Sequence, residues 1–224
     1  MRILGLDTAT TGCSATLIEN ETVRASRREI MRRGQSERLV PMVLDVLQEA
    51  GLALAALDAF AVTTGPGAFT GLRIGIAAAR GFALATGRPA VGISSFDAIR
   101  GGLAAPAIAG RAVLLTVASG REAIFARLDR PDSDAPPILF NETPAALAPQ
   151  LPAPLIIAGD GWPESEALPP ETLRLAAAPI DAGVVARLAA ARLRSGAMLE
   201  KPRPFYLRGA DTSAPKRPPP LVRP

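Results

Sequence analysis

Three strand-forming segments stand ahead of the first helical pattern, and that order constrains the fold more than any other feature of the chain. Residues 2–10 (RILGLDTAT) are almost continuously apolar and end in hydroxyl-bearing residues. Residues 12–19 (GCSATLIE) and 22–30 (TVRASRREI) read as two further strands, joined by a turn around Asn20-Glu21. A doubly wound dinucleotide-binding unit turns into a helix after its first strand, so three successive antiparallel strands disfavour it.

The period then changes. From Ser36 to Ala50, Leu39, Val40, Val43, Leu44 and Leu47 recur at spacings of three and four, which predicts an amphipathic helix with Ser36 as N-cap and Gly51 at its end. Residues 58–64 (DAFAVTT) predict a buried strand running into Gly65-Pro66-Gly67. A second helix follows from about Thr70 to Ala85, then a strand at 90–94 and a helix capped by Ser94 or Ser95. Residues 1–100 thus form a predicted N-terminal lobe of order β-β-β-α-β-α-β, with Gly101-Gly102 as linker. Residues 101–210 predict a second, reduced lobe, with strands at 112–118, 123–128 and 155–158 and a helix from Asp181 to Arg194. The seven prolines of 131–154 predict mostly loop there, with room for one short helix or strand. Residues 211–224 form a Pro-rich, basic tail expected to be disordered. A duplicated, strand-rich α/β unit with an acidic residue closing its first strand points to the actin-like ATPase architecture in two lobes, the second reduced.

Composition removes whole classes of chemistry. The chain has no histidine and one cysteine, Cys13. No Ser-His-Asp triad, Cys-His pair, histidine acid–base catalyst or soft-metal site can be built from it. A carboxylate-held Mg²⁺ is the one metal site left open. The lone cysteine fits a reducing compartment, no apolar run reaches the roughly 18–20 residues of a bilayer span, and the N-terminus lacks the apolar stretch of a secretory signal; a cytoplasmic protein is expected. The formal net charge of +4 is concentrated toward the end of the chain, where Lys201, Arg203, Arg208, Lys216, Arg217 and Arg223 face one acid, Asp211. That suits either tRNA contact or a solvated tail.

Four local patterns each carry two readings. Asp7-Thr8-Ala9-Thr10-Thr11-Gly12 can hold Mg²⁺ and meet a phosphate through Asp7, Thr8 and Thr10, or can satisfy a hairpin turn. Gly65-Pro66-Gly67-Ala68-Phe69-Thr70-Gly71 can cradle an anion at a helix start; with no Lys-Ser/Thr pair and no acid closing the next strand, a sharp turn and a close helix approach account for it better. Gly71, Gly75 and Ala79 recur every four residues beside Ala78, Gly81 and Ala85, small faces that allow close packing either within the chain or against a partner. Gly159-Asp160-Gly161 is either a second phosphate or adenosine element or a strand-to-loop turn. Cys13, among small strand residues, reads as a buried inert thiol.

The residues Ile3-Leu4-Gly5-Leu6-Asp7-Thr8-Ala9-Thr10, Cys13-Ser14, Gln35–Met42, Gly65–Gly75, Gly92-Ile93-Ser94-Ser95 and Pro204-Phe205-Tyr206-Leu207-Arg208 resemble the TsaB (YeaZ) family, densely over 1–97 and thinly between 130 and 200. The resemblance implies an actin-like fold and a non-catalytic scaffold. That scaffold belongs to the complex that forms N6-threonylcarbamoyladenosine at position 37 of tRNAs reading A-starting codons. It implies pairing with a catalytic paralogue, TsaD, docking of the ATPase TsaE, homodimers when alone, and tRNA reached through the complex. Carried over by position, the partner interface comprises Leu39, Val43 and Leu47 on the first helix and Thr70, Arg73, Ile74 and Ala77 on the second. Asp7, Thr8 and Thr10 become a vestigial nucleotide site, with no resident cofactor or metal expected and a nucleotide at a subunit boundary left open. Gln35 stands where the family usually has histidine, which speaks against a metal role. The alternative is an actin-like small-molecule kinase using Mg·ATP through Asp7.

Overall fold

The computed structural model describes residues 1–104, 108–131, 135–175 and 179–207; the tail predicted over 211–224 lies outside them. Strands β1 (Arg2–Asp7), β2 (Gly12–Glu19) and β3 (Thr22–Ile30) form the antiparallel meander expected from the opening segments. Its second turn carries Asn20 and Glu21 at φ of 49° and 71°, the left-handed conformation that a tight hairpin turn needs. Helix α1 (Gln35–Ala50) leads to β4 (Ala59–Gly65), and α2 (Phe69–Thr86) leads to β5 (Ala90–Ser94). Both strands add in parallel, giving the sheet order β3-β2-β1-β4-β5.

The second sheet repeats this plan. After α3 (Ser95–Gly101), β6 (Ala112–Ala118), β7 (Ile124–Asp129) and β8 (Ile138–Glu142) pair antiparallel. The short α4 (Pro144–Leu147) precedes β9 (Leu155–Gly159), and β10 (Thr172–Arg174) completes the order β8-β7-β6-β9-β10 with two parallel pairings. Strand for strand the two sheets share one topology, in an α/β fold of the actin-like type. Residues 138–150 hold more regular structure than their prolines predict, and β10 is absent from the sequence reading because three residues show no period.

Side-chain alternation along β1 decides how the layers stack. Leu4 and Leu6 point to one face, where they join Leu39, Val43, Phe60, Val62 and Ile76 under α1 and α2. Ile3 points to the other, with Ala61, Val185 and Ala189. That second face is covered by α5 (Ala182–Arg194), which follows the second sheet in sequence but packs on the first. The predicted boundary near residue 100 assigns this helix to the second lobe; its contacts are with β1, β2, β4 and β5. Gly5 permits the approach, since a Cβ there would lie 2.0 Å from the Ala182 carbonyl oxygen.

Between the sheets sits α3. Its Phe96 enters the core of the second sheet while Ala98 enters that of the first. Gly101, read from sequence as linker, is the last residue of α3 and packs against Val184 of α5. Arg127 of β7 binds Asp97 of α3 at 2.7 Å and Asp129 at 2.9 Å, and Arg192 of α5 reaches Asp97 at 3.2 Å. With its side chain only 14% exposed, Arg127 is a largely desolvated cation held by two carboxylates, so removing one partner would be costly.

Two helix starts need correction or support. Ser36 is not the N-cap of α1: the cap is Gly34 at φ 94°, and the helix begins at Gln35, whose side chain donates to the Met31 carbonyl at 3.2 Å. Asp181 caps α5, accepting from the Gly183 N–H at 2.7 Å, and Ser94 caps α3.

The Gly5 contact makes a direct forecast. Gly5→Ala forces α5 off the sheet and should lower the free energy of unfolding by roughly 1–3 kcal/mol, measured by urea denaturation. An unchanged midpoint would show that α5 does not rest on β1.

Candidate functional site

The residues singled out from the first strand meet where β1 turns into β2. Asp7 is completely buried. Its Oδ1 accepts from the Thr63 hydroxyl at 2.6 Å and from the Ala9 N–H at 3.1 Å, while Oδ2 has no hydrogen-bond partner among the described residues. Burial pushes the Asp7 pKa up to about 6; the Thr63 and Ala9 bonds pull it back, and the charge of Asp160 adds to the rise. Asp160 follows β9, its Oδ1 accepting from the Ala118 N–H at 2.9 Å, and burial raises its carboxyl as well. The two related sheets thus bring the Asp7 and Asp160 carboxyls near enough for the charge of Asp160 to raise the pKa of Asp7. The signal for this nearness lay in the duplication, which sets the end of β9 beside the end of β6 and opposite the end of β1.

Thr8 is committed to α2. Its hydroxyl donates to the Gly71 carbonyl at 2.7 Å. A Cβ on Gly71 would stand 1.9 Å from the Thr8 carbonyl oxygen, and one on Gly75 2.6 Å from Thr8 Oγ1. The stripe of small residues Gly71, Gly75 and Ala79 is therefore used inside the chain, pressing α2 onto the first turn. The Thr10 hydroxyl is buried without a partner among the described residues.

An actin-like fold implies Mg·nucleotide at this turn, and the residues present do not fit it. The Ala9 N–H is taken by Asp7, the Thr8 hydroxyl by Gly71, and Asp7 has no surface from which to reach an ion. Among the described residues no cluster of three or more His, Cys, Asp or Glu side chains could hold a metal ion. Cys13 is buried, and that burial pushes its thiol up to about 11, far from a reactive thiolate.

The helix residues divide differently from the sequence assignment. Leu39, Val43 and Leu47 are buried in the first core, packed under the chain's own sheet, and offer no partner surface. This corrects their assignment to an interface. The outward apolar residues of α1 are Val40 and Leu44, the latter 60% exposed. On α2, Thr70, Arg73 and Ala77 are exposed and Ile74 is half-buried against α1, with Gly81, Ala85 and an 87% exposed Leu84 continuing the surface. Val40 and Leu44 are legible as a second stripe: they widen the apolar face of α1 beyond what one sheet can cover.

The buried acid sets a pH dependence. The folded-state pKa of Asp7 lies above its value of 3.8 outside the fold, so the native state binds the extra proton and stability falls as pH rises from about 4 to about 6. The loss from this group is at most about 3 kcal/mol. Asp7→Asn should flatten that part of the stability–pH curve in denaturant titrations; an unaltered slope would place the carboxylate in a solvated setting.

Comparison with known proteins bears on the whole arrangement. Residues 23–129 match the family described as TsaD: tRNA N6-adenosine threonylcarbamoyltransferase. The chain is 45% identical over 95 residues to the tRNA threonylcarbamoyladenosine biosynthesis protein TsaB of Escherichia coli K12, and 35% identical over 99 residues to that of Haemophilus influenzae. These alignments take in 42% and 44% of this chain, and the chain spans only 41% and 42% of those relatives. In structure it is similar to YeaZ from Pseudomonas aeruginosa, with a TM-score of 0.75 at 28% identity, over 92% of this chain and 99% of that one. The chain is thus similar to the TsaB (YeaZ) proteins in sequence over less than half of its length and in fold over most of it.

Proposed function

We propose that the chain is a non-catalytic subunit of the machinery that forms N6-threonylcarbamoyladenosine on tRNA, acting by pairing with a catalytic paralogue of the TsaD type. The observation that carries this reading is the α1–α2 face. Val40, Leu44 and Leu84 are exposed apolar side chains beside Ala77, Gly81 and Ala85, whose small size lets another helix pair approach closely. The opposite side of both helices is fully engaged in the first core, so this face has no further work within the chain. The names of the TsaB relatives supply the pathway, and the match of residues 23–129 to the TsaD family supports pairing between paralogues of like fold. In this reading the same face forms a homodimer when the chain is alone, and a TsaE-type ATPase docks on the completed pair. The absence of histidine and the engaged donors around Asp7 favour a structural over a catalytic role.

Pairing can be read by light scattering after size exclusion, with and without a TsaD-type partner. Leu44→Asp and Ala77→Arg each place a charge on the face and should weaken association at least tenfold, about 1.4 kcal/mol, while leaving the circular dichroism spectrum unchanged. Association unaffected by both substitutions would move the interface elsewhere.

A further inference from the structure

Residues 199–207 run back across the start of α2. The Phe205 N–H donates to the Thr64 carbonyl at 2.7 Å. Tyr206 stacks on Phe69 with ring centroids 5.3 Å apart and an interplanar angle of 29°. The Arg73 guanidinium lies 3.7 Å from the centre of the Phe69 ring, and its Nε donates to the Tyr206 hydroxyl at 3.3 Å. Phe69, Phe205 and Tyr206 nonetheless each stay about two-fifths exposed, at 43%, 41% and 42%.

From this aromatic cluster a groove of about 820 Å³ extends between α2 and residues 199–204. Arg73, Arg80, Arg88 and Lys201 line it against a single acid, Glu200. None of the four cations is paired with a carboxylate among the described residues, although Arg2, Arg24 and Arg27 on the first sheet, Arg38 on α1, and Arg192 and Arg194 on α5 are. Unpaired cations along a groove attract a polyanion. Exposed aromatic rings at its mouth select one whose planar groups are free to stack.

We infer that this groove is a track for single-stranded RNA, its phosphates following Arg73, Arg80, Arg88 and Lys201 and a base stacking on the exposed ring of Tyr206, which Phe69 backs. A duplex keeps its bases stacked on one another and cannot offer them to the rings. An acidic peptide would satisfy the cations and leave the rings unused. Arg73 and Arg80 lie on the side of α2 next to residues 199–204, and Ile74 and Ala78 on the side packed toward α1. Ala77, Gly81 and Leu84 belong both to the groove and to the proposed pairing face, so RNA and a paired subunit adjoin along these three residues. The inference deepens the proposed role in tRNA modification and rests on it only for the choice of RNA among polyanions.

The test is fluorescence anisotropy of the full chain with a labelled single-stranded oligoribonucleotide of about a dozen nucleotides, with duplex RNA and a poly-glutamate peptide as competitors, over a range of NaCl. Single-stranded RNA should bind most tightly. Arg80→Gln/Arg88→Gln should lower the log–log salt slope by about 1.4, from roughly 0.7 per cation, whereas Arg24→Gln/Arg28→Gln on the far edge strand should leave it unchanged. Tyr206→Ala should weaken binding about fivefold or more, and Tyr206→Phe should retain it. No binding at low salt, equal or tighter binding of duplex or peptide, or the same slope in both double variants would overturn the inference. Subunit pairing, followed by light scattering in the same samples, reports separately on the proposed scaffold role.

Discussion

The seating of α2 on the first turn is the contact on which the rest of the molecule depends. Thr8 gives its hydroxyl to the Gly71 carbonyl, and Gly71 and Gly75 leave no side chain between the helix and the turn. Two consequences follow from one approach. The Thr8 hydroxyl, one donor that could meet a phosphate, is engaged within the chain, and the rotation of α2 is fixed, which turns Ala77, Gly81 and Leu84 outward. Each glycine costs roughly 1 kcal/mol of helix propensity relative to alanine, a cost that close packing offsets. The same two residues that seal the turn thereby set the surface available to another subunit.

Around this contact, duplication and reduction divide the work. The first sheet is covered on both faces, by α1 and α2 on one side and α5 on the other. The second repeats the strand order, and among the described residues α4, four residues long, stands where the first sheet has α1. The two are joined by α3 and by the Asp97–Arg127–Asp129 arrangement, and the charge of Asp160 reaches Asp7 across them. Burial raises the pKa of Asp7 and, less completely enclosed, that of Asp160, which disfavours negative charge where the two meet.

The order of elements in the first sheet was legible because each signal is local: alternation for strands, spacings of three and four for helices, Gly51 and Gly87 for helix ends. What failed was tertiary. Leu39, Val43 and Leu47 form the strongest apolar stripe of α1, and the strongest stripe goes to the nearest sheet; only the weaker stripe of Val40 and Leu44 is left for an outside surface. The packing of α5 on the first sheet leaves its mark in the sequence only as Gly5, one residue in a strand. Gly159-Asp160-Gly161 left two readings open from sequence, and the nearness of Asp160 to Asp7 becomes visible only in the folded chain. Of the small-residue stripes on α2, periodicity could show that something approaches closely but not that one approach is to Thr8.

The central proposal is that the turn after β1 is closed to Mg·nucleotide by its own helix and that the chain contributes surface instead of catalysis. Titration calorimetry of the isolated chain with Mg·ATP tests it most directly. The account predicts no saturable heat, with any dissociation constant weaker than about 1 mM. Binding of micromolar order that disappears in Asp7→Ala would contradict it.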